Sequence, residues 1–348
     1  MVNLIKRRSY VWVGLLICLF CLSCEEKEAN ELVTPTEEQE EGIVYPANKY
    51  QVGGYLRERL ISKAPANLLD NLTHLYLIGE VFADKDEIVK FNNKAGTVAN
   101  IQKLKQQRGN RNTKIILSVA GKFKSTVFLF AKDKAKREIF INTLLDFCLE
   151  NGLDGIDMDT EHPETVEEVA VMEQLSKELY EAFHPKGLLV SHAIIFYNTR
   201  YAKAVLPYLD WINLMLYDVF DAKHVHATFE TYERDIKRFL NAGIPGEKIT
   251  AGLPFYGVNV TPDRTQRKQL SYRHLINLHG NSPFDPSADL LGGIWAINGV
   301  KTIAKKVRYA AENELNGVMI WSMSLDFETT SEKSLLKSIL GVTPVDNQ

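Results

Sequence analysis

A short β-rich apolar run followed by a longer stretch of helical periodicity recurs eight times along this chain. That alternation limits the fold more than any other feature. The expected strands are Tyr50–Leu56, His74–Phe82, Lys114–Ala120, Gly155–Glu161, Leu188–Tyr197, Trp211–Tyr217, Ile249–Phe255 and Gly317–Met323. Helical periodicity is clearest in Gly96–Gln107, Lys132–Asn151, Glu164–Phe183, Phe229–Ala242 and Gly299–Asn316, and Asn151-Gly152 and Asn316-Gly317 read as helix stops ahead of a strand. Strands joined by helical crossovers pair in parallel, and eight such units over residues 46–345 predict a single α/β domain, a closed (β/α)8 barrel. A doubly wound open sheet is the alternative arrangement. Only about sixty residues, 258 to 316, separate the last two strands, and a helix must fit among them. No large α+β insertion is expected there.

The fourth of these units carries an unusual load of acid. Residues 153–163 read LDGIDMDTEHP, with Asp154, Asp157, Asp159 and Glu161 in eight positions. Side chains alternate faces along a strand, so Asp157, Asp159 and Glu161 share one face at intervals of roughly 7 Å. On a dry face, desolvation and mutual repulsion would raise their pKa values, and the row would titrate as a unit with shared protons. Such a row reads as an acid-catalysis site or a metal site, with a solvated edge strand as the bland alternative. In a barrel of this kind the active site lies at the C-terminal strand ends. Polar and aromatic residues collect at those ends: Ser118 to Gly121, Glu161, Tyr217 with Asp218, Tyr256, and Trp321 followed by Asp326.

The N-terminus is of another kind. Lys6, Arg7 and Arg8 precede thirteen apolar residues, Tyr10 to Leu22, too few to span a bilayer but matching the core of a secretory signal. Leu22-Ser23-Cys24 resembles a bacterial lipobox, which gives a signal over 1–23 and lipidation at Cys24. An ordinary signal cleavage is the alternative. Residues 25–41 carry eight Glu and one Lys, so 24–45 reads as a disordered acidic tether. An acidic stretch after the lipidated Cys resembles a surface-export signal. The expected product is an exported, membrane-anchored bacterial lipoprotein, a monomer, with the cell surface as one location. Three of four cysteines fall in the signal and lipobox, which leaves Cys148 alone in the body, without a disulfide partner and as a small core residue. Formal net charge is −3, made of −7 in the tether, +3 ahead of the apolar run and a nearly neutral body, so nucleic acid is not an implied partner.

The residues Asp154-Gly155-Ile156-Asp157-Met158-Asp159-Thr160-Glu161 complete the pattern DGxDxDxE, and with it the chain resembles the family 18 glycoside hydrolases. The lead-in REIFINTLLDFCLENGLDGID, the SxGG-like end of strand three, MxYD in strand six (Met215, Tyr217, Asp218), GxPFYG in strand seven and the Trp of strand eight resemble the family in the same order, from Gln51 to Asp326. The resemblance implies a TIM barrel that hydrolyses β-1,4 bonds next to N-acetylglucosamine with retention, without cofactor or metal. Glu161 would protonate the glycosidic oxygen and later activate water. The substrate's acetamide oxygen, not an enzyme carboxylate, would attack C1, an exception to the two-carboxylate scheme. Asp159 would orient the acetamide N–H, Asp157 below it would share a proton, and Tyr217 would bind the acetamide carbonyl. Trp321 would floor the −1 sugar and Asp218 would bind sugar hydroxyls, with Tyr55, Met215 and Tyr256 completing the sugar-binding set.

Two residues depart from the pattern: Ala120 replaces a usual Gly, and Thr160 stands where many chitinases carry an aromatic. Without a large insertion the cleft is expected to be shallow, which favours soluble oligosaccharides or glycan stems over crystalline chitin. Trp295, Phe220 and Tyr197 are candidate subsite aromatics. A chitinase-like hydrolase is the leading expectation and an endo-β-N-acetylglucosaminidase acting on the chitobiose core of N-glycans the second. A catalytically inactive carbohydrate-binding barrel is a third. A metal-dependent hydrolase would need ligands such as His162 and His192, which read as structural.

Overall fold

A computed structural model of the chain describes residues 50–79, 81–82, 88–120, 127, 130–160 and 162–343. The signal, Cys24, the acidic tether and Glu161 lie outside the described residues. Eight parallel strands among those described close into a barrel: β1 (Gln51–Arg57), β2 (His74–Ile78), β5 (Lys114–Ala120), β6 (Gly155–Asp159), β7 (Leu189–Ile195), β8 (Trp211–Met215), β9 (Ile249–Pro254) and β14 (Gly317–Trp321). Consecutive strands neighbour one another, and β14 closes the ring on β1. An open doubly wound sheet is thereby excluded.

The connections are helical: α1 (Lys94–Arg108), α2 (Lys134–Asn151), α3 (Val166–Phe183), α4 (Thr199–Val205), α5 (Phe229–Asn241) and α7 (Val300–Glu312), with α6 (Tyr272–Leu278) in the last long connection and α8 (Leu335–Leu340) after the final strand. The helix stop at Gly152 is left-handed, with φ 59°, as a glycine after a helix permits. A capping box, Thr165 with Glu168, starts α3 just beyond the acid row.

Period-two alternation in the strands divides the interior into two cores. Leu56, Leu75, Leu77, Ile115, Leu117, Ile156 and Met158 face outward and pack under the helices. Each such side chain withdrawn from water contributes roughly 1.5–3 kcal/mol, so this layer supplies most of the drive for closing the barrel. The inward layer is aromatic and polar, with Tyr55, Tyr76, Trp211, Met215, Tyr217 and Met319 among its members. Gly155 shows why the acid-row motif needs a glycine. A Cβ there would lie 2.3 Å from the Leu189 carbonyl oxygen, so a side chain would force β7 away from β6.

The connection between β9 and β14 holds more structure than its length suggested. Strands β10 (Tyr256–Asn259), β11 (Gln269–Ser271), β12 (Ser287–Leu290) and β13 (Gly293–Ala296) form a small antiparallel sheet in the order β11-β10-β13-β12. It is a compact addition at the barrel rim, not a large insertion domain. A further pair, β3 (Val81–Phe82) with β4 (Lys90–Phe91), follows β2. Among the described residues no helix is long and apolar enough to cross a membrane.

Candidate active site

Asp157 and Asp159 lie on the inner face of β6, both buried, and Asp159 is the last residue of that strand. Asp157 is fully enclosed and accepts four hydrogen bonds from four other strands. Tyr55 Oη (2.9 Å) and Ser118 Oγ (2.9 Å) donate to its Oδ2, and Ser191 Oγ (2.7 Å) and Asn213 Nδ2 (3.0 Å) donate to its Oδ1. Burial pushes this carboxyl above its ordinary value, and the donors pull it part of the way back. The influences on this carboxyl are thus burial, as expected for a dry face, and a cage of neutral donors contributed by β1, β5, β7 and β8.

The cage is itself held. Asn213 Nδ2 also donates to Tyr55 Oη at 3.0 Å, and its Oδ1 accepts from Thr250 Oγ1 at 2.5 Å and from Trp211 Nε1 at 3.2 Å. Trp211 Nε1 reaches Tyr76 Oη at 2.9 Å, and Tyr76 stacks on Tyr55 with ring centres 4.6 Å apart. A fully satisfied polar network of this kind holds one arrangement, since any slip would leave a buried group unpaired. Ser118 was expected at its strand end, but Ser191, Asn213 and Thr250 were not singled out from the sequence. The available signal was period two: in INLMLYD, Asn213 precedes Met215 and Tyr217 on the same face.

Above this floor stands the mouth. Trp321, the last residue of β14, is half-buried, with Tyr217 stacked 6.3 Å away, Tyr55 tilted at 5.7 Å and the Arg57 guanidinium 5.4 Å from its ring centre. The Trp321-Ser322 peptide is cis. The Tyr217 hydroxyl lies 3.9 Å from Met319 Sδ, and its ring rests against β9. Gly252 permits that approach, because a Cβ there would stand 2.9 Å from Tyr217 Cε1. Met215 is buried beside it.

Asp218 follows in a left-handed conformation, φ 56°. Its Oδ1 accepts from Tyr256 Oη at 2.6 Å and from Gln269 Nε2 at 3.1 Å, so the small sheet contributes two contacts to the rim. His226 Nε2 accepts the Asp218 backbone amide at 2.9 Å, which fixes a neutral ring; the 3.5 Å approach of Asp218 Oδ1 to that nitrogen is therefore not an ion pair. Burial lowers the pKa of His226, consistent with that state. For Asp218, burial opposes the charge, but the Tyr256 hydroxyl at 2.6 Å and the nearby positive charge of Arg267 favour it, and the carboxyl is held below its ordinary value.

Several candidates fall elsewhere. Asp154 sits at the opposite end of β6, where Arg108 Nη1 (2.7 Å) and the Ile115 amide (2.8 Å) bind its Oδ2. Asp326 is buried away from the mouth and accepts from Ser334 Oγ and the Leu335 and Leu336 amides, capping α8. His192 faces outward, with Nδ1 2.7 Å from Tyr201 Oη and Nε2 3.4 Å from Ser176 Oγ, and burial pushes it down to about 3. Trp295 is buried in the small sheet, Phe220 lies under the Arg267 guanidinium at 3.4 Å, and Tyr197 is exposed beside His162. Among the described residues no group of three or more His, Cys, Asp or Glu side chains is arranged to hold a metal ion.

With this geometry in view, comparisons with known proteins place the chain. A model of the Glycosyl hydrolases family 18 matches residues 44–326. A chitinase of Aphanocladium album is 32% identical over 193 residues, which span 47% of this chain and 45% of that protein. A class V chitinase of Medicago truncatula is 25% identical over 276 residues, 63% of this chain and 71% of that protein. The chain thus spans under half of the first of these relatives. Among solved structures, the GH18 chitinase from the chitin utilization locus of Flavobacterium johnsoniae superposes with a TM-score of 0.67 at 27% identity, over 84% of this chain and 93% of that one. The family model covers most of the barrel and takes in the whole acid row, and the chain belongs to the Glycosyl hydrolases family 18.

Proposed function

We propose that this protein is a chitinase-like glycosidase that cleaves β-1,4 bonds next to N-acetylglucosamine with retention, using the substrate's own acetamide as nucleophile. The observation that carries the reading is the caged Asp157 directly below Asp159, with Tyr217, Asp218 and Trp321 gathered around the same mouth. In this scheme the Glu161 carboxylic acid gives its proton to the glycosidic oxygen as the C1–O bond breaks. The acetamide oxygen forms the new bond to C1, giving an oxazolinium ion and a free leaving sugar. Glu161, now a carboxylate, takes a proton from water, whose oxygen attacks C1 and reopens the ring.

Asp159 accepts the acetamide N–H and places negative charge beside the cation that forms. Asp157, held on both oxygens, lies below Asp159 as the fixed carboxyl with which it shares a proton. Tyr217 donates to the acetamide carbonyl. Trp321 offers a flat apolar face to the pyranose, and Asp218, kept ionised by its surroundings, accepts from sugar hydroxyls. Tyr55 and Tyr256 serve through these carboxylates, since their hydroxyls are given to Asp157 and Asp218. The small rim sheet supports soluble oligomers as substrates in preference to crystalline polymer. The basic leader, Cys24 and the acidic tether support an exported lipoprotein held at a membrane through Cys24.

The test is product analysis on chitotetraose beside a high-mannose glycopeptide, with the wild type and Glu161→Gln. Cleavage of chitotetraose, reduced on the order of 10² or more in the variant, is the expected result. Cleavage of the glycopeptide alone would move the substrate to the N-glycan core. Binding without turnover would favour a carbohydrate-binding barrel.

A further inference from the structure

Lys306 lies on α7 and is 0% exposed, an uncommon position for an ammonium group. Among the described residues its Nζ makes one hydrogen bond, to the Ala227 carbonyl oxygen at 2.7 Å, and stands 4.9 Å from the centre of the Tyr232 ring. A buried charge with one oxygen partner destabilises the fold relative to a well-packed Leu or Met. The compensating element is what that oxygen belongs to.

Ala227 is the penultimate residue of the segment 218–228, which follows β8 at the mouth and returns to the N-cap of α5 at Thr228. Three non-glycine residues in this segment are left-handed: Asp218 (φ 56°), His224 (φ 63°) and Ala227 (φ 47°). Each carries a Cβ that disfavours such a backbone, so outside contacts must maintain it. Ala227 is held from both sides, its N–H donating to the Val219 carbonyl at 2.7 Å and its own carbonyl taking Lys306. The adjacent residue is His226, whose Nε2 accepts the Asp218 amide at 2.9 Å. Lys306, Ala227, His226 and Asp218 thus form a connected series from the outer helix to the rim.

We propose that Lys306 is a positioning residue for the sugar site, clamping Ala227 so that His226 fixes the backbone of Asp218 and the Tyr217–Asp218 pair meets the substrate in one geometry. This rests on the reading of Asp218 as a sugar-binding carboxylate. The charged and titratable groups facing the clamp are Glu230 and Tyr232 from α5, Asp285 from the turn before β12, and His226 from the segment itself. Burial pushes the Lys306 ammonium down to about 7, with Asp285 and Glu230 opposing only in part. Below that value the bond to Ala227 is charge-assisted. Above it a neutral amine makes a weaker bond.

Lys306→Met separates positioning from simple support, because it removes the buried charge and keeps the length. The variant should melt at or above the wild-type temperature, yet lose on the order of tenfold in kcat/KM on chitotetraose, chiefly through KM. In an Asp218→Asn background the same change should cost less than about twofold, because the two residues act as a unit. Wild-type KM should rise above pH 7, and that rise should vanish in Lys306→Met. A folded variant with wild-type kcat/KM, or one whose full loss persists beside Asp218→Asn, overturns the proposal. Should the variant not fold, a wild-type KM flat from pH 5.5 to 9 overturns it instead. A wild type that neither binds nor cleaves chitotetraose defeats the hydrolase reading and this one together; turnover without any Lys306 effect defeats this one alone.

Discussion

Tyr55→Phe removes one oxygen atom from the centre of the Asp157 cage and keeps the ring. The hydroxyl donates to Asp157 Oδ2 at 2.9 Å and accepts from Asn213 Nδ2 at 3.0 Å. A bond to a charged group contributes about 1.5–3 kcal/mol and a neutral one about 0.5–1.5 kcal/mol. Asn213 keeps its second contact, to Asp157 Oδ1 at 3.0 Å, and the stacking on Tyr76 survives. The expected loss is therefore about 2–4 kcal/mol at pH 7, read as a lowered urea midpoint with an unchanged slope.

The pH dependence adds a second check. The Asp157 carboxyl is raised in the fold by burial, so between its unfolded and folded pKa the folded state holds a proton that the unfolded state releases. Stability from this group is full below the unfolded value and falls as pH rises through the folded one. Removing a donor raises the folded pKa further and extends that fall. The Tyr55→Phe loss should thus be smaller at pH 4 than at pH 7. A loss below about 0.5 kcal/mol at pH 7, or a larger loss at pH 4, would refute the cage.

Two further predictions follow from packing and burial. Gly155→Ala drives a Cβ into the Leu189 backbone at 2.3 Å, so it should abolish soluble expression or cost more than about 3 kcal/mol; a melting temperature within a degree of wild type would mean the strands are not that close. The Cys148 thiol is buried and pushed up to about 12, so iodoacetamide at pH 8 should leave it unlabelled until urea unfolds the barrel. Rapid native labelling would place it at the surface.

Much of this architecture was legible in the sequence because two periodicities dominate it. All eight barrel strands lie within a few residues of their expected positions, and Lys114–Ala120 coincides with its expectation. Differences cluster at the rim. The fourth strand ends at Asp159 and the sixth at Met215, two residues before the positions read from the pattern. Strand pairing stops there, although beyond the sixth strand Tyr217 still faces inward with Met215. The rim sheet carries no clear sequence signal because its strands are only three or four residues long and lie among polar turns.

Long-range contacts set the rest of the site. Asp326 follows Trp321 closely in sequence, yet it caps α8, because three donors from Ser334 to Leu336 supply what a buried carboxylate needs. The Asp157 cage draws on residues up to 102 positions away, and no local pattern announces such a meeting. Lys306 shares its helix with Lys301 and Lys305, and only its burial sets it apart.

The central claim is that the nucleophile is the sugar's acetamide. It is tested most directly by comparing kcat/KM for two matched chromogenic chitobiosides, one with an acetamide on the −1 sugar and one with a hydroxyl in its place. The account predicts that the hydroxyl analogue is slower by on the order of 10³ or more, since it lacks an internal group to attack C1. Comparable rates on the two substrates would contradict it and require an enzyme nucleophile or direct attack by water.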